Sequence, residues 1–104
     1  MIKRIVKLTF REEEIETFQK IFEESKELIQ DFEGCLHLEL LQGINEPAIF
    51  FTYSFWESEG ALNNYRHSEL FRKTWSKTKV LFAGKPEAWS VSMIYPSVTT
   101  SSPS

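Results

Sequence analysis

The sequence predicts an α+β domain in which helical segments cover one face of an antiparallel sheet and a second copy of the chain covers the other. The paired sheets then close into a barrel. Three observations lead there. The hydrophobic period switches between two and 3.6 along the chain, in the order strand, long helix, strand, strand, short helices, strand. Residues 48 to 56 are apolar on both alternating faces, so neither side suits water. Nine Phe, three Trp and three Tyr crowd into 104 residues, more aromatic surface than a lone sheet face needs.

Taken in order, Ile2 to Phe10 read as a strand, because Val6, Leu8 and Phe10 alternate with Lys7 and Thr9. From Glu13 to Phe32 the residues Ile15, Phe18, Phe22, Ile29 and Phe32 recur at helical spacing, widened by Ile21 and Leu28. Glu12 to Glu14 suit the positive end of that helix and Gly34 its exit. A second strand runs from Cys35 to Gln42, with Leu36, Leu38 and Leu40 on the face expected under the helix and Cys35, His37, Glu39 and Leu41 on the other. The turn Gly43 to Pro47 leads into the third strand, with Ile49, Phe51, Tyr53 and Phe55 on one side and Phe50, Thr52, Ser54 and Trp56 on the other. Ser58 and Ser68 offer two helical starts, carrying Ala61, Leu62 and Tyr65, then Leu70, Phe71 and Trp75; they read as two short helices or one interrupted helix. After Gly84 to Pro86, Trp89, Val91, Met93 and Tyr95 alternate as a fourth strand. This order predicts a ferredoxin-like split β-α-β antiparallel sheet, one domain over residues 1–95. Residues 96–104 carry no charge and little apolar surface and are expected to be a flexible Ser/Thr/Pro-rich tail.

Composition narrows the partners. A formal net charge of −3 provides no basic field for a phosphate backbone, which argues against nucleic acid. The lone Cys35 excludes an internal disulfide framework, and no Cys/His cluster has structural-zinc spacing, so a reducing, cytoplasmic setting is expected. No segment approaches the roughly eighteen apolar residues of a membrane span. No Gly-rich phosphate loop, paired-histidine metal motif or nucleophile elbow appears.

Phe32-Glu33-Gly34-Cys35, Trp56-Glu57-Ser58 followed by Ala61-Leu62, His67-Ser68 leading to Phe71, and Leu81 to Pro86 entering the last strand together resemble the antibiotic-biosynthesis monooxygenase family of dimeric α+β barrels. The resemblance covers about residues 2 to 95. It implies a homodimer with a pocket in each protomer between sheet and helices. It also implies either a small-molecule monooxygenase acting on quinols or polyketide-like aromatics with O₂ and without metal or flavin, or a haem-degrading enzyme. The haem-degrading branch has an Asn, a Trp and a His at positions that look like Val6 or Lys7, Tyr65 and Trp75 here, so this sequence disfavours haem chemistry. No cofactor is expected. The substrate of a cofactor-independent oxygenase must itself give electrons to oxygen, which leaves the protein to supply a base, donors for a phenolate oxygen and a dry aromatic pocket.

His67, where the resemblance places a recurrent His, is the leading candidate base; its other reading is a helix-junction residue bonded to backbone. Asn63, Asn64, Tyr65 and Arg66 follow the end of the third strand, where side chains can close a pocket mouth. Tyr65 brings a ring wall and a hydroxyl donor, and Asn63 can orient an oxygen. His37 shares a strand face with Glu39 and reads as a pocket residue or as part of a polar pair at the dimer interface. Trp56, Phe71, Trp75 and Trp89 read as pocket walls or as core. Cys35 reads as a small hydrophobe. Two functions follow: an oxygenase of electron-rich aromatics with Tyr65, His67 and Asn63 converging, or a noncatalytic ligand-binding or stress-related homodimer that keeps the fold alone.

Overall fold

The structure, a computed structural model, describes residues 1–96. The chain forms β1 (Ile2–Thr9), a single 3-10 turn (Glu12–Glu14), α1 (Ile15–Gln30), β2 (Cys35–Gln42), β3 (Ile49–Trp56), α2 (Glu59–Arg66), α3 (Glu69–Lys79) and β4 (Glu87–Val91). The four strands make one antiparallel sheet in the order β2-β3-β1-β4, the ferredoxin-like split β-α-β arrangement expected from the element order.

Register decides which side chains meet the helices. Arg4, Val6 and Leu8 of β1 stand opposite Ser54, Thr52 and Phe50 of β3, and this set faces α1 and α3. Lys3, Ile5 and Lys7 stand opposite Phe55, Tyr53 and Phe51 on the other side, which none of the described helices covers. β2 departs from simple alternation. A bulge between Cys35 and His37 puts Cys35 opposite Trp56 and His37 opposite Phe55, so Cys35 shares the helix side with Trp56 rather than the far side with His37. The extra residue is Leu36, which is 53% exposed instead of packed under a helix.

The main core is an aromatic stack on the helix side. Phe10 lies flat against Phe18 at 4.2 Å between ring centres, and Phe50 meets both edge-on at 5.7 and 5.1 Å. Leu8 and Leu81 complete the buried cluster, with Ile15, Ile21, Phe22 and Phe82 around it. Each such ring removes enough apolar surface from water to contribute about 1.5–3 kcal/mol. The connector after α3 is tied to the end of β1 by hydrogen bonds from Arg11 N to the Leu81 carbonyl and from Ala83 N to the Thr9 carbonyl.

The two short helices are separate because each has its own cap. Ser58 Oγ accepts from Ala61 N, and Ser68 Oγ accepts from Phe71 N while donating to the Tyr65 carbonyl, which fastens the start of α3 to the end of α2. β4 stops at Val91, so Met93 and Tyr95 do not extend the strand; Tyr95 is 87% exposed. Beyond Pro96 the expected tail lies outside the described residues.

Gly34 turns the chain from α1 into β2 at φ +90°, and a Cβ there would collide with the Ala61 methyl of α2. Gly34→Ala is therefore expected to destabilise the fold by about 2–4 kcal/mol, from left-handed strain and overpacking together. Gly60→Ala in the first turn of α2, where a Cβ meets only Ser58 Oγ at 3.7 Å, is expected to stabilise by about 0.5 kcal/mol. Urea unfolding of the two variants checks the pair of opposite signs.

Candidate functional site

A cavity of about 380 Å³ opens between the helix side of the sheet and the three helices. That lies toward the small end of the roughly 300–1,000 Å³ of ligand sites, suited to a small aromatic molecule. Its floor is Val6, Leu8, Leu38, Thr52 and Ser54 from three strands, and α1 contributes Phe18, Phe22 and Ile29. Trp56, Tyr65, Phe71 and Trp75 form an aromatic wall, with Leu62 beside them.

The aromatic wall is continuous. Tyr65 stacks on Trp56 at 4.9 Å and meets Phe71 edge-on at 5.3 Å, and Phe71 in turn stacks on Trp75 at 5.7 Å. The residues come together because Trp56 ends β3, Tyr65 lies in the last turn of α2, and Phe71 and Trp75 are one helical turn apart on α3. The Trp56 indole donates to Ser54 Oγ at 3.0 Å, so both polar groups are satisfied within the buried floor.

Tyr65 is the wall's one phenol. Burial pushes its pKa well above the ordinary value, with a smaller contribution from the neighbouring Cys35. Its hydroxyl therefore keeps its proton at any physiological pH and acts as a donor, not as a base. Among the described residues no protein group pairs with that hydroxyl.

The sequence-level candidates divide. Trp56, Tyr65, Phe71 and Trp75 line the cavity together; His67, Asn63, His37 and Trp89 do not. His67 ends α2 with Nδ1 donating to the Asn63 carbonyl at 2.8 Å, exposed to solvent, which is the helix-junction arrangement. Asn63 and Asn64 are exposed on the outer side of α2. His37 sits on the uncovered side of the sheet, bonded to Glu39 through Nε2 and packed on Phe55 at 4.7 Å. Trp89 stands opposite Ile5 on that same side and is 45% exposed. Strand pairing places both: His37 opposite Phe55, on the face its alternation with Glu39 had assigned it, and Trp89 opposite Ile5. The convergence expected of Tyr65, His67 and Asn63 is thus absent: only Tyr65 reaches the cavity.

Two charged residues also line the cavity: Arg4, which the sequence left without a role, and Arg66, which it placed among the residues able to close a pocket mouth. Arg4 enters from β1 beside Val6, and Arg66 comes from the end of α2 next to Tyr65. Arg4 had a visible signal, since a charged residue shares the parity of Val6 and Leu8 in a strand whose even side is core. Among the described residues no three His, Cys, Asp or Glu side chains gather where a metal ion could be held.

Comparison with known proteins adds lineage to this geometry. Residues 1–76 match the sequence pattern of the family described as antibiotic biosynthesis monooxygenase. The fold is similar to a crystal structure described as an antibiotic biosynthesis monooxygenase, at 18% identity and TM-score 0.86 over 91% of this chain and all of that one. A conserved protein from Methanosarcina mazei Go1 superposes at 20% identity and TM-score 0.83, covering 86% of this chain and 89% of the other. A protein from Pseudomonas aeruginosa does so at 16% identity and TM-score 0.81, covering 90% and 94%. At these identities the likeness is one of fold. No curated protein matches the chain.

Tyr65 links the site to stability. Its pKa is raised above the ordinary 10.0 in the folded chain, so above that pH the unfolded chain releases a proton that the folded chain keeps. The Tyr65 contribution to stability is flat below pH 10 and declines above it, by at most about 1.4 kcal/mol per pH unit. Tyr65→Phe is expected to lose this component of the decline, measured by urea unfolding at pH 9 and pH 11; equal losses in the two proteins would contradict the assignment. Ser54→Ala, which strands the Trp56 indole N–H, is expected to cost about 1–3 kcal/mol in the same measurement at pH 7.

Proposed function

The chain belongs to the antibiotic biosynthesis monooxygenase family, and from that premise we propose that it is a small-molecule monooxygenase acting on an electron-rich aromatic substrate, a quinol or a polyketide-like phenol, with O₂ as the oxidant. The observation that carries the reading is the aromatic cavity with a buried phenol, Tyr65, in its wall, whose hydroxyl burial keeps protonated at physiological pH. The substrate ring stacks in the space bounded by Trp56, Phe71 and Trp75, and Tyr65 donates to its oxygen. Neither His67 nor Asn63 has a part in this reading.

The reaction balances without an external reductant. The phenol loses its proton to water at the cavity rim, where Arg66 and Ala88 are exposed. The phenolate gives one electron to O₂, and the radical pair joins through a new carbon–oxygen bond to a peroxide anion, which takes a proton back from water to become the hydroperoxide. Loss of the proton on that carbon with cleavage of the O–O bond leaves a quinone and water. One oxygen atom stays in the product, the other leaves as water, and the substrate supplies all four electrons. The protein's contribution is to hold the ring, stabilise the phenolate through Tyr65 and keep bulk water from the radical pair.

The working unit in this reading is a homodimer formed through the uncovered side of the sheet. Ile5, Phe51, Tyr53, Phe55, Leu41 and Trp89 are apolar or aromatic on a face that the chain's own helices leave open. Lys3 Nζ lies 4.6 Å from the Phe55 ring centre, which adds a cation–π contact to that face.

A second reading, a noncatalytic ligand-binding homodimer, draws on the absence of a histidine or carboxylate from the residues lining the cavity. Oxygen uptake by metal-free protein with a panel of hydroquinones and anthrones, paired with product analysis, separates the two. Turnover to the quinone is expected, slowed about 10- to 100-fold by Tyr65→Phe and altered less than about twofold by His67→Ala. Saturable quenching of tryptophan fluorescence across the panel without oxygen uptake would favour the binding protein. Phe55→Glu is expected to convert dimer to monomer in sedimentation, and the Tm of the wild type to fall on dilution through the dissociation range.

A further inference from the structure

The apolar lining of the cavity is interrupted by two guanidinium groups that have no carboxylate to answer them. Arg4 is only half-exposed and sits on the helix side of the sheet, opposite Ser54 and Ser90. Its bond to a side chain runs from Nη1 to Ser90 Oγ at 3.0 Å, a neutral acceptor. Arg66 projects from the last turn of α2, where the helix dipole favours a cation but no acidic side chain neutralises it. Both line the same cavity. Among the described residues the ion pairs are Lys26–Glu23, His37–Glu39 and Lys73–Glu69, all elsewhere.

This arrangement is costly to the empty protein. A partly desolvated charge beside a like charge is disfavoured twice, and burial first, then Arg66, lowers the pKa of Arg4. The chain carries a formal net charge of −3, so acidic residues were plentiful and yet none is placed between these two. An anion arriving between the guanidinium groups offsets both penalties, and guanidinium groups suit carboxylate and phenolate oxygens in particular.

We propose that the cavity selects an aromatic ligand carrying an anionic oxygen group, a carboxylate or an ionised phenol, with its ring against the Trp56–Tyr65–Phe71 wall and its charge held between Arg4 and Arg66. The proposal rests on the reading of this cavity as the ligand site and names the substrate class it takes. Arg4 and Arg66 determine specificity: each adds attraction for the anion and leaves a neutral isostere facing uncompensated charge.

The test is isothermal titration of the full chain with 2-naphthoate and its neutral isostere 2-naphthamide at low and high ionic strength. Titration with 4-nitrophenol below and above that phenol's own pKa separates the ionised phenol from the carboxylate. The wild type is expected to bind 2-naphthoate at least about tenfold more tightly than the amide, with added salt weakening the naphthoate alone. The preference is expected to shrink to about twofold or less in Arg66→Gln, whose exposed site keeps the fold intact, and in Arg4→Gln, while Arg4→Lys retains part of it. Equal affinity for acid and amide in the wild type, or a preference that survives both glutamine variants, overturns the anion assignment and leaves the aromatic cavity standing. Failure of both ligands to bind overturns the anion assignment together with the cavity reading. Because binding is read without oxygen uptake, lack of turnover does not bear on the outcome.

Discussion

β3 is apolar on both faces, and the rest of the structure is arranged around that constraint. Phe50, Thr52, Ser54 and Trp56 point toward the helices, while Phe51, Tyr53 and Phe55 point away. β1 pairs along the full length of β3, and its own parity is matched so that Val6 and Leu8 join the first set and Ile5 the second. The helices then have one task, to cover the Phe50–Trp56 side, and they do so at two places. α1 seals the Phe10–Phe18–Phe50 stack, and α2 with the start of α3 closes over Trp56 through Tyr65 and Phe71. The cavity is the space left between these two seals.

The bulge in β2 shows how a local irregularity serves that arrangement. By inserting Leu36 it returns Cys35 to the helix side beneath Trp56 and Tyr65 without changing the parity of His37, Glu39 and Leu41 farther along. Gly34, immediately before it, takes a left-handed conformation and lets Ala61 of α2 approach the backbone closely. A turn and a bulge of three residues thereby set how near α2 lies to the sheet, and so the position of Tyr65 and Arg66 at the cavity. The packing of the fold and the chemistry of the site share these residues, which is why a change at Gly34 touches both.

The cavity combines a stacking wall with concentrated positive charge. Aromatic rings supply a surface for a planar ligand at low entropic cost, since Trp56 and Phe71 are held by their neighbours before any ligand arrives. Tyr65, whose ionisation burial disfavours, offers a hydrogen-bond donor throughout the physiological pH range. Arg4 and Arg66 add a field whose sign opposes that of the molecule as a whole. In the proposed reading the substrate supplies the electrons, and the protein supplies a shaped, dry space and groups that favour the ionised form.

Period and caps determined the architecture from the sequence. The alternation of β1 and β3, the helical spacing of Phe18, Phe22 and Ile29, and Ser58 and Ser68 at the helix starts are local signals, each decided within a few residues of chain. Trp56, Tyr65, Phe71 and Trp75 were legible as inward-facing for the same reason, because periodicity assigns a face, with cavity wall and core left as the two readings of that face. Tertiary structure alone decided which polar side chains share that face. Trp89 went to the uncovered side through its pairing with Ile5 and Cys35 changed side through a bulge with no sequence mark, whereas His37 lies on the face that alternation gave it and His67 makes the local helix-junction bond that was its other reading. Arg4 and Arg66 are 62 residues apart in sequence, and nothing in either neighbourhood says that they meet. Their meeting at one cavity is a non-local consequence of folding α2 against β3 and α3, and electrostatic interaction depends on distance in space, which one-dimensional order does not carry.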